Sequence, residues 1–279
     1  MGAEVLSEGG RGCEGESEET TAAVVSSPPR PLRVDIVTIF PEMFDGVLNG
    51  SILGRGREKG LLDLRAVNLR DYSTDKHRKT DDIPFGGGAG MVMTPDPLFR
   101  CVEALTEGGE GARVVLTSPG GEPYNQRKAE EFARCPHLVI LCGRYEGFDD
   151  RVREHLVTDE VSLGDFVLTG GEIAAMAIVD SVARLIPGVL GHEESAGEES
   201  FSEGLLEYPQ YTRPAEYRGW AIPAVLQGGN HEVIRRWRRK ESLRRTLLRR
   251  PDLLATHAFT PEDRKLLIEL EVELGRRLL

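Results

Sequence analysis

The chain of 279 residues lacks the sequence features that define several large classes of protein. No apolar run approaches the roughly 20 residues that a membrane-spanning helix needs, and no signal-peptide core is visible near the start. Its four cysteines include no CxxC pair, which argues against a structural zinc site and against a disulfide framework. No internal repeat is visible either. These absences predict a cytoplasmic globular protein with no membrane association.

Motifs that bind nucleotides through their phosphates are also missing. The GK[ST] signature of a P-loop does not occur anywhere in the chain. The glycine run at 86–90 (GGGAG) loosely resembles a dinucleotide fingerprint, but it follows Ile83-Pro84-Phe85 rather than a strand. The sequence therefore does not favour a phosphate-cradling cofactor site.

Charge is distributed unevenly around a net value of −11. Residues 1–32 carry six glutamates against two arginines and few large apolar side chains, which predicts a disordered acidic tail. Residues 235–250 (RRWRRKESLRRTLLRR) carry nine basic residues and one glutamate. A basic run is usually the solvated face of an amphipathic helix, but charge of nearly one sign repels itself. A phosphate-bearing partner, RNA or DNA, would explain why that repulsion is tolerated.

The pattern of apolar residues predicts alternating strands and helices. Strands are expected at 33–40, 61–69, 112–118 and 137–142, and helices at 42–50, 95–107 and 123–134. This alternation indicates an α/β domain with a mostly parallel sheet. The expected organisation is an acidic tail (1–32), an α/β domain (33–190), a linker (191–206) and a small helical domain (207–279). A polar, aperiodic loop at 70–91 is long enough to be functional or disordered.

Three glycine-rich turns, at 118–121, 143–147 and 164–171, each follow a strand. Because ligands of such sheets bind beyond the carboxyl ends of the strands, we expect the three loops to form one site. The stretch SLGDFVLTGG (162–171) combines apolar side chains with accessible backbone, which suits a flat heterocycle such as adenine. Tight packing of a helix against the loop would also explain its glycines.

The apolar helix expected at 173–186 carries two further predictions. The spacing of Thr169 and Glu172 is that of a capping box, so Thr169 is expected to cap the helix. Asp180 and Arg184 lie four residues apart among apolar neighbours. At least one of these two charges is therefore expected to be buried with a partner.

A set of longer stretches carries a resemblance to a known family. They are DIVTIFPEMF (35–44), DKHRKTDDIPFGGGAGMVM (75–93), LTSPGGEPYNQ (116–126), LCGRYEGFDDRV (141–152), VSLGDFVLTGGEIAAMAIVDSVARLIPGVLGHEESA (161–196) and SFSEGLLEYPQYTRP (200–214). Over about residues 33–260 the chain resembles the bacterial tRNA (guanine-N1)-methyltransferases of the SPOUT class, the TrmD type.

The resemblance implies a fold, a reaction and partners. The implied fold is a SPOUT-type parallel-sheet domain with a deep trefoil knot, followed by a small C-terminal helical domain. The implied reaction methylates N1 of the guanine 3′ of the anticodon, tRNA position 37, with S-adenosyl-L-methionine as methyl donor. The implied assembly is a homodimer that grips the anticodon stem-loop. Family members are also reported to prefer Mg²⁺, although this sequence shows no dedicated metal-ligand cluster.

The resemblance also places the cofactor residues. Carried over by position, they are Ser118, Pro119 and Gly121 in the first loop, Gly143, Tyr145 and Gly147 in the second, and Leu163, Gly164, Asp165, Phe166, Val167, Leu168, Gly170 and Gly171 in the third.

The implied catalytic residues are Glu199 and Arg184. Glu199 would remove the N1 proton of guanine, and Arg184 would stabilise negative charge developing on O6. The family has an aspartate where this chain has Glu199, which places the carboxylate about one methylene further out, and the adjacent Glu198 is the alternative register. The implied substrate-binding residues are Glu146, Asp81, Gly90, Arg235, Arg238 and Arg239.

Two competing functions stay open at this point. The change from aspartate to Glu199 would also fit a catalytically weak or silent RNA-binding protein that keeps the SPOUT fold. A small-molecule methyltransferase would leave the basic segment and the 70–91 loop without a role.

Overall fold

The computed structural model describes residues 30–107, 111–190, 200–202 and 204–275. Within these ranges, the central element is a five-stranded sheet in which every neighbouring pair of strands is parallel. Its strands are β1 (Leu32–Thr38), β2 (Leu62–Asn68), β5 (Ala112–Pro123), β6 (His137–Cys142) and β7 (Asp159–Ser162), in the spatial order β2-β1-β6-β5-β7. The predicted α/β class with a parallel sheet is confirmed.

Two short antiparallel pairs, nine α-helices and three 3-10 helices (Pro41–Phe44, Leu69–Tyr72 and Ala224–Gln227) complete the described part of the chain. The pairs are β3 (Asp81–Asp82) with β4 (Val92–Met93), and β8 (Glu216–Tyr217) with β9 (Trp220–Ala221). The helices are α1 (Asp45–Asn49), α2 (Ser51–Glu58), α3 (Pro95–Thr106), α4 (Gln126–Ala133), α5 (Asp150–His155), α6 (Glu172–Ala183), α7 (His231–Arg249), α8 (Pro251–Leu254) and α9 (Pro261–Leu274). Not one of the helices in the described ranges could cross a membrane.

At its centre the sheet is buried on both faces, as the uninterrupted apolar strand β6 requires. Alternate side chains of β6 point to opposite faces, and all six of its residues are buried. Ile140 belongs to a core shared with α1, α2, α4 and α6, whereas Leu141 belongs to a core shared with α3 and α5. The sheet therefore forms the middle of three layers, and its carboxyl edge is left for the loops.

Most predicted elements are confirmed, with shifted boundaries. β5 is longer than the predicted strand at 112–118, because its register against β7 is interrupted between Thr117 and Glu122 and then resumes. The first glycine-rich loop is thus a bulge inside a strand. The 70–91 segment is also more structured than expected, since Asp81 and Asp82 pair with β4. The predicted acidic tail, apart from 30–32, and most of the predicted linker lie outside the described residues.

The basic helix α7 is paired with acidic residues of the chain itself. Arg235 contacts Glu262, Arg236 contacts Glu269 and Lys240 contacts Glu273, all on α9. The premise that α7 carries uncompensated charge of one sign is therefore wrong, because that premise ignored the acidic helix that follows. The apolar side chains of α7 do not form one buried face: Leu243 is buried, but Val233 and Leu248 are exposed.

Arg239 forms the most buried of these pairs. Its Nε lies 2.7 Å from Oδ1 of Asp263, which is 1% exposed and belongs to a capping box with Thr260 at the start of α9. Burial alone would raise the pKa of Asp263, but hydrogen bonds from Arg239 and Thr260 outweigh it and hold the pKa at about 2. This lowered pKa makes Asp263 a stabilising group at neutral pH.

We expect the contribution of Asp263 to the free energy of unfolding to depend on pH within a defined range. A depressed pKa in the folded state stabilises the protein above the usual aspartate pKa of 3.8 and loses that effect as the pH falls towards 2. Asp263→Asn should therefore lower the free energy of unfolding by about 2 kcal/mol at neutral pH. Urea unfolding should show that the difference in free energy of unfolding between the variant and wild type becomes smaller below about pH 4. A difference that is independent of pH would contradict this assignment.

Candidate functional site

Three loops meet at the carboxyl edge of the sheet and enclose a cavity of about 420 Å³. This volume lies within the range of small-molecule sites, about 300–1,000 Å³. Predicted cofactor residues that line it are Ser118, Pro119, Gly143, Tyr145, Gly147, Leu163, Gly164, Phe166, Val167, Leu168, Gly170 and Gly171. The convergence inferred from the position of the three loops directly after strands is thus observed, and Glu146 lines the same cavity.

Two predicted cofactor residues are not among those that line the cavity. Gly121 packs against β7, where an added Cβ would lie 2.5 Å from the backbone nitrogen of Val161. Its glycine is therefore explained by sheet packing within the bulge. Asp165 is exposed at the tip of the third loop.

The second and third loops are joined backbone to backbone. The amide of Gly171 donates a hydrogen bond of 2.9 Å to the carbonyl of Gly143. A Cβ added at Gly171 would lie 2.8 Å from Cα of Cys142 and 2.9 Å from the nitrogen of Gly143. Glycine at 171 is therefore required by the close approach of two main chains, which form one wall of the cavity.

We expect Gly171→Ala to weaken the binding of S-adenosylmethionine about 5- to 150-fold, because overpacking strain of about 1–3 kcal/mol would separate the two loops. Gly120→Ala is the matched control in the first loop, since its Cβ would meet only ordinary contacts of 3.6 and 3.9 Å. Isothermal calorimetry on both variants measures the difference. Equal affinities of the two variants would show that the cavity does not bind S-adenosylmethionine.

A buried ion pair that was not predicted from the sequence connects the second loop to the start of α6, directly after the third loop. Nε of Arg144 lies 2.9 and 3.1 Å from the two carboxylate oxygens of Glu172, which is 1% exposed. Glu172 also accepts a 2.8 Å hydrogen bond from the hydroxyl of Thr38, at the end of β1. Arg144 further donates to the carbonyl of Thr169 and stacks over the ring of Phe40, 4.6 Å from its centroid.

The predicted capping box between Thr169 and Glu172 is consequently wrong. Gly171 occupies the N-cap position of α6 and no side chain caps it, because the carboxylate of Glu172 is already bonded to Arg144 and Thr38. The prediction that one charge of the other pair is buried with a partner is met only in part. Asp180 is exposed, whereas Arg184 is half-buried at the end of α6 and has a bonding partner. Arg144, which directly follows Gly143, is the sequence feature that could have identified the partner of Glu172.

The loop preceding β4 is connected to the second loop. The amide of Glu146 donates to the carbonyl of Met91 (3.0 Å), and the amide of Met93 donates to the carbonyl of Gly147 (2.9 Å). Gly90 faces the side chain of Glu146, since an added Cβ would lie 2.6 Å from its Cγ. The structure thus brings together Gly90 and Glu146, two of the predicted substrate residues. Asp81 pairs with Met93 in the adjoining strands.

Charged side chains occupy the cavity rim. Asp150, Arg153 and Glu160 line the cavity, and none of the three is among the site residues predicted from the sequence. Nη1 of Arg153 lies 3.9 Å from Oε2 of Glu160. The cavity therefore offers apolar walls, free backbone groups and charges of both signs at its edge. This combination suits a ligand that joins a flat heterocycle to a zwitterionic end.

The remaining predicted residues lie elsewhere. Arg235, Arg238 and Arg239 are on α7, Arg184 is at the far end of α6, and Glu199 lies outside the described residues. A search of the described ranges finds no group of acidic, histidine or cysteine side chains that could hold a metal ion.

Comparison with known proteins agrees with this geometry. The family model described as tRNA (Guanine-1)-methyltransferase TrmD matches residues 32–256. A tRNA (guanine-N(1)-)-methyltransferase of Brevibacillus brevis is 61% identical over 242 residues, which cover 87% of this chain and 99% of the relative. The proteins of that name from Moorella thermoacetica and Geobacillus kaustophilus are 59% and 56% identical, and the matched residues cover 88% and 87% of this chain and 99% of each relative.

Proposed function

The chain belongs to the tRNA (guanine-1)-methyltransferase family, and on that premise we propose how its residues carry out the family's reaction. The reaction is methyl transfer from S-adenosylmethionine to N1 of a guanine in tRNA, which we assign to the guanine 3′ of the anticodon, position 37. The observation that carries this proposal is the cavity formed by three glycine-containing loops at the carboxyl edge of the sheet.

The cavity fits the methyl donor by its chemistry. Leu163, Phe166 and Leu168 provide apolar contacts for the adenine, and the glycine backbone offers hydrogen-bonding groups for its polar edge. The rim charges of Arg153 and Glu160 match the carboxylate and ammonium of the methionine end. When bound, S-adenosylmethionine supplies an electrophilic methyl group on its sulfonium.

The chain's own residues then act on the guanine. N1 carries a proton in neutral guanine, so a carboxylate has to accept that proton before the nitrogen lone pair is available. We assign this task to Glu199. Arg184 stabilises the charge that builds on O6, and Glu146, which lines the cavity and faces Gly90, orients the base. Asp81 and Gly90 belong to the same substrate-facing loop.

The position of Arg184 supports a homodimeric site. Ala174 is the cavity residue nearest to it in sequence, and Arg184 follows ten residues later along α6. At about 1.5 Å per residue, the two lie about 15 Å apart along the helix axis. An arginine side chain does not span that distance back to the cavity. We therefore propose that the Arg184 serving one cavity comes from a second copy of the chain.

A mixing experiment tests this arrangement. Gly171→Ala keeps Arg184 but impairs cofactor binding, and Arg184→Ala keeps the cavity but loses the arginine. Activity is measured at a concentration of S-adenosylmethionine too low to load the Gly171→Ala cavity. Random mixing gives half mixed dimers with one competent site of two, so about a quarter of wild-type activity should return. An inactive mixture, with mixed dimers shown to form, would place Arg184 and its cavity in the same chain.

The reaction itself is tested by single-turnover methylation of an unmodified tRNA transcript with labelled S-adenosylmethionine. We expect one methyl group on the target guanine, and none on a transcript that carries adenine at that position. Binding without transfer would favour the silent RNA-binding alternative. Transfer to free guanosine, but not to tRNA, would favour the small-molecule alternative.

The other implications of the resemblance stay predictions. They are the deep trefoil knot, the separate status of the C-terminal helical domain, the cytoplasmic location and the preference for Mg²⁺. Arg235, Arg238 and Arg239 also stay predicted tRNA contacts, but the pairs of Arg235 with Glu262 and of Arg239 with Asp263 would have to open first.

A further inference from the structure

A short hairpin in the C-terminal part presents two aromatic side chains to solvent. Tyr217 and Trp220 are directly paired across β8 and β9, and they are 56% and 72% exposed. Arg218 and Gly219 form the turn with positive φ values of 54° and 83°, as tight hairpin turns require. The guanidinium of Arg218 lies 5.2 Å from the ring centroid of Tyr217. The hairpin thus displays aromatic faces beside a cation.

A cleft of about 350 Å³ adjoins this hairpin. Ala215 and Ile222, which flank the two strands and are hydrogen-bonded to each other (2.9 Å), both line it. Tyr211 and Trp237 face each other in the cleft with ring centroids 6.4 Å apart, and the guanidinium of Arg238 lies 4.8 Å from the ring centroid of Tyr208. We call the hairpin and the cleft together the aromatic surface: Tyr208, Tyr211, Arg213, Tyr217, Arg218, Trp220, Trp237 and Arg238.

The aromatic surface and the basic helix α7 differ in how their positive charges are paired. On α7, Arg235, Arg236 and Lys240 are bonded to carboxylates of α9. Arg213 and Arg218, by contrast, form no ion pair with any residue that the structure describes. Positive charge that is available without breaking an internal ion pair therefore lies beside the aromatic rings, whereas Arg235, Arg236 and Lys240 on α7 would first have to leave their carboxylates.

Aromatic rings combined with the guanidinium groups of Arg213 and Arg218 match the chemistry of nucleotides that are not base-paired. Every base has a flat face that stacks on an aromatic ring, and arginine adds attraction to both the ring and the phosphate. Bases within a duplex are already stacked and cannot use such a surface. We propose that the aromatic surface stacks unpaired bases of the tRNA substrate, whereas the cations of α7 mainly hold α7 against α9. This inference rests on the proposed function, because it takes tRNA as the ligand.

The test compares two RNA probes, an anticodon stem-loop transcript and a blunt duplex of the same stem, by fluorescence anisotropy. Trp220→Ala and Tyr217→Ala should each weaken stem-loop binding about 5- to 150-fold, as expected for the loss of one stacked base. Trp220→Phe should keep most of the affinity because it keeps a ring. Duplex binding should not change. Val272→Ala is the matched control, because Val272 is an exposed apolar side chain on α9 that is not part of the aromatic surface.

A second measurement leaves the ring of Trp220 in place. In a Trp237→Phe background, Trp220 is the remaining tryptophan, and its fluorescence should be quenched by the stem-loop but not by the duplex. Absence of quenching, or equal loss of affinity for both probes, would overturn the inference. So would dissociation of a dimer by Trp220→Ala in sedimentation, which would make the hairpin a protein interface. A wild-type protein that binds no tRNA at all would instead refute the proposed function.

Discussion

Replacing Glu199 with glutamine is expected to slow methyl transfer by roughly 10²–10⁴-fold, the usual cost of losing a positioned general base. Glutamine keeps the shape and hydrogen-bonding capacity of the side chain but cannot accept the N1 proton of guanine. Binding of tRNA and of S-adenosylmethionine should persist. Single-turnover rates measured at saturating concentrations of both separate the chemical step from binding.

Neighbouring variants make this result specific. Glu198→Gln should have little effect, and Glu199→Asp should keep much of the activity or raise it, because it restores the residue that the family carries. If Glu198→Gln proves to be the damaging change, the base lies one position earlier in the chain. If neither glutamine variant is slow, another group removes the proton and the proposed mechanism fails.

Replacing Arg144 with methionine is expected to lower the free energy of unfolding by about 3–5 kcal/mol, because removing one partner leaves a buried charge uncompensated. That charge is Glu172, whose side chain is 1% exposed. Loss of the hydrogen bond to the Thr169 carbonyl should also loosen the third loop and weaken S-adenosylmethionine binding. Urea unfolding and calorimetry measure the two effects.

Two companion variants distinguish a buried pair from a general loss of charge. Arg144→Met combined with Glu172→Gln should recover a large part of the stability, since neither partner is then charged. Arg100→Met removes an exposed pair with Asp96 and should cost less than about 1 kcal/mol. If Arg144→Met costs no more than Arg100→Met, the pair with Glu172 is not the support proposed for the two loops.

Residue patterns alone determined the class of fold and the location of the site. The apolar run His137–Cys142 has no alternation, which identified a strand buried on both faces, and the structure buries all six residues. Glycines placed directly after strands identified the loops that converge, since the carboxyl ends of parallel strands share one edge. Both inferences rest on local periodicity and on a general rule of sheets. Neither needed knowledge of which strands are neighbours.

Pairings between distant segments were decided only by the tertiary structure. The spacing of Glu172 fits a capping box. Its carboxylate is instead bonded to Arg144 and Thr38, which lie far away in sequence. The arginines of α7 look uncompensated until α9 folds against them with its own glutamates. A charge interacts with whatever lies within a few ångströms, whatever the sequence separation. Sequence spacing therefore predicts the partners of a side chain only within one helix or turn, and the buried ion pair and the neutralised basic helix both lie beyond that range.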